Sequence, residues 1–160
     1  MYSMIMLKNK FISFLLFAIV TYSASFIGSI ATISYKEPWY SSLNKSFLTP
    51  PDWVFAPVWV SLYLLIGYAT WLMWSTKQNT QKILNIYFIH LVVNASWSIT
   101  FFAFHQILAS LIIVGVIILF TVFLIKLYYQ INKTSAFLML PYFAWLCFAF
   151  VLNYSIFTLN

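Results

Sequence analysis

The chain has 160 residues, of which 64% are hydrophobic and only 6% are charged, and its mean hydropathy is +0.94. A soluble domain of this length cannot keep so much apolar surface away from water, and disordered, fibrous and coiled-coil chains need more polar residues. The net charge of +6 comes from eight lysines against Glu37 and Asp52, which is too sparse for a nucleic-acid-binding surface. The composition therefore predicts an all-α integral membrane protein.

Five apolar stretches are each long enough to cross a membrane, since about 20 helical residues span roughly 30 Å of hydrocarbon. They are separated by loops rich in Lys, Asn, Gln, Ser, Thr and Pro, and only the first loop is long. Short loops join antiparallel neighbours, so residues 1–160 are predicted to form a single five-helix bundle without a second domain. The predicted spans are Phe11–Ile33, Trp53–Ser75, Ile83–Phe104, Ile107–Tyr129 and Ser135–Thr158.

The first stretch has two interpretations. Lys8 and Lys10 precede it and "YSAS" offers small residues, as in a cleaved signal peptide, but its length of about 23 residues exceeds a signal core and favours a retained helix. The lysines also predict the orientation, because cytoplasmic loops of membrane proteins are enriched in positive charge. The amino terminus is expected in the cytoplasm of a bacterium, with the chain in the inner membrane. Lysines on the amino-terminal side are Lys8, Lys10, Lys77, Lys82, Lys126 and Lys133, against Lys36 and Lys45 on the other side.

The inventory of reactive side chains is short. Glu37 and Asp52 are the only carboxylates, both lie in the first loop, and Asp52 is expected to cap the start of the second helix. His90 and His105 are 15 residues apart, about 22 Å along one helix, so they cannot share a metal or clamp a haem from one helix. No Ser or Cys within the predicted spans lies beside a plausible base and an orienting acid. A conventional hydrolase or a metalloenzyme is therefore not supported.

Aromatic and amide side chains recur at helical spacing in the third predicted span. His90, Asn94, Trp97 and Phe101 follow one another by four, three and four residues and share one face. Because polar groups that face lipid are costly, this face is expected to look into the bundle. The alternative is that His90 and Asn94 only hydrogen-bond to neighbouring helices as packing contacts.

Similar stripes occur in the second and fifth predicted spans. Trp59, Trp97 and Trp145 each lie on a stripe with small or polar residues, so the three faces together predict a slot walled by flat rings, suited to a large planar or rigid apolar ligand. Pro141 is expected to bend the fifth helix, and Val114 is expected on an outward face of the fourth. The two further stripes are Ala56, Trp59, Tyr63, Gly67 and Thr70, and Pro141, Trp145, Ala149, Leu152 and Asn153.

The segment "TPPDWVFAPVW", residues 49–59, lies directly before the second predicted span. Its proline pair restricts the loop backbone, and Pro57 removes a hydrogen-bond donor near the start of the helix. We expect the rings of Trp53, Phe55 and Trp59 to be held at the rim of the bundle. The segment is therefore predicted to form a rigid aromatic mouth.

Several of these motifs resemble one family. "WYSSLNKSFLTPPDWVFAPVWVSLYLLIGYATWLMW" and "PYFAWLCFAFVLNYSIFTLN" are similar to the signature region and last helix of the tryptophan-rich sensory protein family, also called the translocator protein or peripheral benzodiazepine receptor family. The similarity extends to "FIGS" in the first span and to "N..W...FF" at 94–102 in the third. It covers essentially the whole chain.

The resemblance implies a five-helix membrane receptor or translocator, often a homodimer, with no required cofactor and no metal. Members bind porphyrins such as protoporphyrin and haem precursors, sterols such as cholesterol, and synthetic isoquinoline or benzodiazepine ligands in a pocket beneath the first loop. Transport or stress sensing is the expected outcome. The alternative is an enzyme-like, light-dependent breakdown of porphyrin in which Trp59 and Trp145 supply electrons; no other catalytic residue is implied. The implied ligand-binding residues are Gly28, Ser29, Trp39, Phe55, Ala56, Trp59, Asn94, Trp97, Trp145, Ala149 and Leu152.

The chain departs from the family pattern at several positions. Ser46 and Ser98 stand where members carry proline, and no Lys or Arg follows Tyr154 to complete a sterol-recognition pattern. Asn85 and Ile89 occupy positions where some members carry glycines that pack helices in a dimer. Homodimer formation is therefore an expectation from the resemblance alone.

Overall fold

The computed structural model describes residues 9–76 and 78–160, which form helices joined by loops, without strands. Within these ranges, five helical spans are long and apolar enough to cross a membrane, and no predicted bound lies more than two residues from the observed one. The predicted all-α membrane fold is therefore confirmed. The helices are α1 Lys10–Tyr35, α2 Trp39–Ser42, α3 Phe55–Trp74, α4 Gln81–Ser98, α5 Ile107–Ile131, α6 Lys133–Leu138 and α7 Leu140–Leu159.

A short 3₁₀ turn, Asp52–Val54, leads into α3. The fifth span is interrupted at Met139, which separates α6 from α7. Pro141 lies in the first turn of α7, where its missing N–H costs nothing because the first N–H groups of a helix have no partner within that helix. The fifth span is thus interrupted two residues before the proline that was expected to bend it.

The end of α4 was not predicted from the sequence. A π-helix, Ile99–Ala103, continues α4, and the Phe104 amide donates to the Ile99 carbonyl, five residues earlier, at 3.1 Å. Both Phe101 and Phe102 are buried there, against Tyr40 of the first loop and Ile156 of α7. Such π segments occur frequently at functional sites.

The half of the bundle away from the first loop is densely packed. Its core includes the fully buried side chains of Met73, Tyr87, Leu124 and Tyr128. Each tyrosine hydroxyl lies 2.7 Å from a threonine hydroxyl, Tyr87 from Thr21 and Tyr128 from Thr70. The lining of the large internal cavity lies in the other half of the bundle, next to the first loop.

The first loop is fastened to the carboxyl end of the chain. The Asn44 amide donates to Asn160 Oδ1 at 2.9 Å, and Asn160 Nδ2 donates to the Asn44 carbonyl at 3.1 Å. The first loop and the end of α7 therefore lie at the same end of the bundle. Lys10, Lys82, Lys126 and Lys133 belong to the opposite helix ends, whereas Lys8 and Lys77, also used to predict the orientation, lie outside the described residues.

Candidate ligand-binding site

A cavity of about 600 Å³ occupies the half of the bundle next to the first loop. Its volume falls within the range of pockets that enclose drug-sized molecules, about 300–1,000 Å³. Side chains of α1, α3, α4, α5 and α7 line it, and most of the lining is apolar. The cavity therefore lies inside the bundle, as the three inward stripes predict.

Aromatic rings form much of the wall. The rings of Trp59 and Trp145 meet edge to face, with centroids 6.5 Å apart, and Phe55 packs on the edge of Trp145 at 6.1 Å. On the α4 side, Trp97 is stacked on Phe101 at 5.3 Å with planes 8° apart. Contacts of this kind stabilise ring positions beyond simple burial, so the wall is held in shape by its own rings.

The floor of the cavity is a buried hydrogen-bond network. The Tyr63 hydroxyl donates to Asn94 Oδ1, and Asn94 Nδ2 donates to Tyr142 Oη at 2.6 Å. Tyr142 Oη lies 3.0 Å from His90 Nε2. Asn94 and Tyr63 line the cavity, whereas His90 does not. The interpretation of His90 as a packing contact is therefore supported, while Asn94 both holds helices together and faces the cavity.

Charged groups lie at the mouth. Lys36, at the end of α1, lines the cavity, and its ammonium pairs with the Asp52 carboxylate and lies 3.8 Å from that of Glu37. Tyr40 is buried beside them, with Lys45 Nζ 4.3 Å from its ring centroid. Burial, together with the Asp52 carboxylate, raises the pKa of Tyr40 to about 12, so the phenol is uncharged at physiological pH.

The expected capping role of Asp52 is wrong. Its carboxylate pairs with the Lys36 ammonium, and neither the 3₁₀ turn nor α3 has a side-chain cap hydrogen bond. A full positive charge attracts a carboxylate more strongly than the partial charge of a backbone N–H. Asp52 remains in the first turn of the span, where its negative charge interacts favourably with the positive end of the helix dipole.

Ten of the eleven residues expected to bind ligand line the cavity, and their role in binding stays a prediction. Trp39 does not line it; its ring stacks on His105 at 4.2 Å and meets Phe101 edge to face at 5.2 Å, so it supports the wall from behind. The lining residues of the expected set are Gly28, Ser29, Phe55, Ala56, Trp59, Asn94, Trp97, Trp145, Ala149 and Leu152.

Two other expectations are wrong in position. Val114 is 3% exposed and lines the cavity, although an outward face was expected. Trp53, expected at the rim, is 74% exposed and does not line the cavity, unlike Phe55 and Trp59. Pro141 is exposed, while Trp145 of the same stripe lines the cavity. Both residues belong to α7, whose first turn, with Pro141, lies at the end of the bundle away from the first loop and the cavity.

Sequence reasoning also missed part of the lining. Tyr22, Ser25 and Thr32 contribute from α1, and Ile117 contributes from α5. A signal for α1 was present, because small and polar residues recur on one side of it among large apolar ones. The buried Ser110 and Thr121 of α5 mark the inward face in the same way. No cluster of His, Cys, Asp or Glu that could hold a metal ion exists among residues 9–76 and 78–160.

Comparisons with known proteins agree with this architecture. A family model described as the TspO/MBR family matches residues 15–159. The chain is 36% identical over 136 residues to the tryptophan-rich protein TspO of Archaeoglobus fulgidus. The alignment covers 84% of this chain and 88% of that protein. The chain is 35% identical over 139 residues to the translocator protein of Homo sapiens, covering 82% and 80%, and 31% identical over 124 residues to the tryptophan-rich sensory protein of Cereibacter sphaeroides, covering 78% of each. The resemblance seen in the sequence is confirmed, and the chain belongs to the TspO/MBR family.

Proposed function

We propose that this protein binds tetrapyrroles, such as protoporphyrin and haem precursors, and also sterols, within its internal cavity, and that it transports or senses them. The observation that carries the proposal is the cavity of about 600 Å³ walled by Trp59, Trp97 and Trp145. Relatives named translocator protein and tryptophan-rich sensory protein support an outcome in transport or sensing. No resident cofactor is part of the proposal.

The chemistry of the wall favours a flat apolar ligand with a polar end. Indole and phenyl faces offer dispersion and stacking contacts to a conjugated macrocycle. Lys36 is the one basic residue among the lining side chains, and a carboxylate on the ligand could exchange places with Asp52 as its partner. The macrocycle would then lie among the tryptophans with its acidic edge toward the first loop.

A fluorescence titration tests the proposal. Purified protein in detergent is titrated with protoporphyrin while tryptophan emission is recorded. We expect saturable quenching with a one-site isotherm, because Trp59, Trp97 and Trp145 line one cavity. Quenching that rises linearly without saturation, as free tryptophan would give, would contradict binding. Cholesterol added at fixed protoporphyrin should restore emission if sterols use the same cavity.

We also propose a membrane, an orientation and an oligomeric state for this protein. We place it in the inner membrane of a bacterium with the amino terminus in the cytoplasm, supported by the lysine distribution. We also propose that it pairs as a homodimer. Light scattering of the purified protein in detergent measures the mass of the assembly, and a monomer mass at every protein concentration would contradict the dimer.

A second candidate function is light-dependent breakdown of porphyrin, favoured by the edge-to-face contact of Trp59 and Trp145 in the cavity wall. An indole next to the photoexcited macrocycle would lose one electron, and the macrocycle would gain it. Illumination of the protein with protoporphyrin should then give a new absorbing product, and Trp145→Phe should slow its formation. Equal bleaching with and without protein would contradict this activity.

A further inference from the structure

Helices α1 and α3 separate from each other at the level where the cavity begins. In the half away from the first loop α1 and α3 touch closely: a Cβ on Gly67 would lie 3.1 Å from Thr21 Oγ1, and Trp71 Nε1 donates to Ser13 Oγ at 3.0 Å. Nearer the first loop α1 leans on α4 instead, since a Cβ on Gly28 would lie 3.1 Å from Ser98 Oγ. A slit therefore opens between α1 and α3 in the half that holds the cavity.

The edges of this slit are apolar and exposed. Phe26 and Ile33 of α1 are 66% and 82% exposed, and Val60 of α3 is 54% exposed. All three also line the cavity. A side chain that is both exposed and part of the cavity wall lies where the cavity reaches the outer surface. Because Phe26 and Val60 lie within membrane-spanning helices, that surface is covered by lipid acyl chains.

Two polar contacts bound the slit. The Tyr22 hydroxyl donates to the Val60 carbonyl at 2.7 Å, and the Lys36 ammonium pairs with the Asp52 carboxylate at the other end. Tyr22 and Lys36 are separated by 14 residues of α1, about 21 Å at the rise of an α-helix. This length admits the edge of a flat ring system, and each contact is a single polar bond that can break and re-form.

The opening on the side facing water is charged and partly closed, because the exposed Asp52, which also lines the cavity, pairs there with Lys36. Tyr40 is buried against Phe101 and Phe102, and the Asn44–Asn160 hydrogen bonds hold the first loop to the end of α7. An apolar ligand is also far more concentrated in hydrocarbon than in water. Both observations favour arrival of the ligand from the bilayer.

We propose that the ligand enters and leaves the cavity sideways, from the bilayer leaflet next to the first loop, through the slit between α1 and α3. Its chemical class is an apolar, ring-based compound dissolved in the lipid. Val60 forms part of the edge of this entrance, and the Tyr22–Val60 hydrogen bond closes one end of it. The identity of the ligand as a tetrapyrrole rests on the proposed function, whereas the route is a property of the slit.

Thiol labelling tests the route without a porphyrin. Ala149 of α7 lines the cavity, and α7 is not one of the two helices that border the slit, so Ala149→Cys in a Cys147→Ser background places a single thiol inside. The protein in lipid vesicles is treated with pyrenyl maleimide, which partitions into bilayers, or with a sulfonated maleimide, which stays in water. We expect the lipid-soluble reagent to label faster. Faster labelling by the sulfonated reagent would overturn the lateral entrance.

A matched pair of substitutions localises the entrance. Val60→Trp fills the slit, while Leu64→Trp adds the same side chain one turn away on α3, where Leu64 is exposed but does not line the cavity. Val60→Trp should slow pyrenyl maleimide labelling about tenfold by steric blockage, and Leu64→Trp should leave the rate unchanged. Equal rates in the two folded variants would overturn the proposal. Phe26→Trp, on the α1 edge, replaces Val60→Trp if that variant fails to fold.

Porphyrin kinetics separate the route from the proposed function. Val60→Trp should slow both the association and the dissociation of protoporphyrin, because a barrier at the entrance is crossed in both directions; any change in Kd reports the separate contact of Val60 with the cavity. Tyr22→Phe should accelerate both rates. If no variant binds protoporphyrin, the proposed function fails while the maleimide rates still decide the route. A Val60→Trp variant that raises Kd without changing the association rate would place Val60 in the bound site and overturn its role as an entrance.

Discussion

The indole rings of Trp59 on α3 and Trp145 on α7 meet edge to face, with centroids 6.5 Å apart and planes at 90°. Neither helix alone could form this corner of the cavity, because each supplies one flat face. An edge-to-face aromatic contact contributes about 0.5–1.5 kcal/mol beyond the area that it buries. The pair therefore fixes the shape of the wall against which a planar ligand would stack.

Trp145→Phe should weaken protoporphyrin binding and reduce the quenching amplitude. The smaller ring loses contact with Trp59 and Phe55, so we expect Kd to rise about three- to tenfold, equivalent to roughly 0.7–1.4 kcal/mol. Fluorescence titration measures both quantities. Trp74→Phe is the control, because Trp74 packs on Phe17 away from the cavity. An equal loss of affinity in both variants would show that the effect is unrelated to the wall.

Asn94→Ala should destabilise the bundle. The substitution removes the group that accepts from Tyr63 and donates to Tyr142, and an unsatisfied buried polar group costs about 1–3 kcal/mol. Thermal unfolding in detergent should show a clear fall in Tm. Asn85→Ala is the matched control, because Asn85 is exposed and bonds only to Gln81 among the described residues. Equal changes in Tm for both variants would contradict a structural role for the floor.

Gly67→Ala should loosen the contact between α1 and α3. A Cβ there would lie 3.1 Å from Thr21 Oγ1, and Thr21 cannot turn away because its hydroxyl bonds to the Phe17 carbonyl and the Tyr87 hydroxyl. Overpacking of this kind costs about 1–3 kcal/mol. At Gly115 the nearest atom would be 3.7 Å away, on Phe150, so Gly115→Ala should leave Tm unchanged. An equal Tm for the Gly67→Ala and Gly115→Ala proteins would contradict the close approach of α1 and α3 at Gly67.

The membrane orientation can be tested by labelling from one side. Ser42 is exposed in the first loop, and Gln130 is exposed at the opposite end of the bundle, near the end of α5. In a Cys147→Ser background, an impermeant thiol reagent added to intact cells should label Ser42→Cys and spare Gln130→Cys. The reverse pattern would place the amino terminus outside.

The sequence was sufficient to predict the five spans, because each is a long apolar run bounded by polar loops. It also identified inward faces wherever a helix carries polar or small residues at helical spacing, as at Asn94 and Trp97. Pro141 likewise indicated an irregularity in the fifth span, although the interruption lies at Met139, two residues before the proline.

The inward face of α5 carries a weaker signal. Ser110 and Thr121 mark it, but large apolar residues cover the rest of the helix, so the place of Val114 between them was missed. The partner of Asp52 was missed because Lys36 is distant in the chain and approaches only after α1 and α3 pack. The π-helix after Ser98 has no distinctive composition, so only the backbone reveals it.

The affinity of Ala149→Leu for protoporphyrin, compared with that of Ala144→Leu, tests the internal binding site most directly. Both changes add the same branched side chain to α7, but Ala149 lines the cavity whereas Ala144 is exposed outside it. We expect Kd to rise about tenfold or more for Ala149→Leu, roughly 1.4 kcal/mol, and to stay unchanged for Ala144→Leu, with both proteins folded. If both variants bind as tightly as the original chain while tryptophan quenching persists, the ligand stacks on the outer rim near Trp39 and Trp53, and the internal site is contradicted.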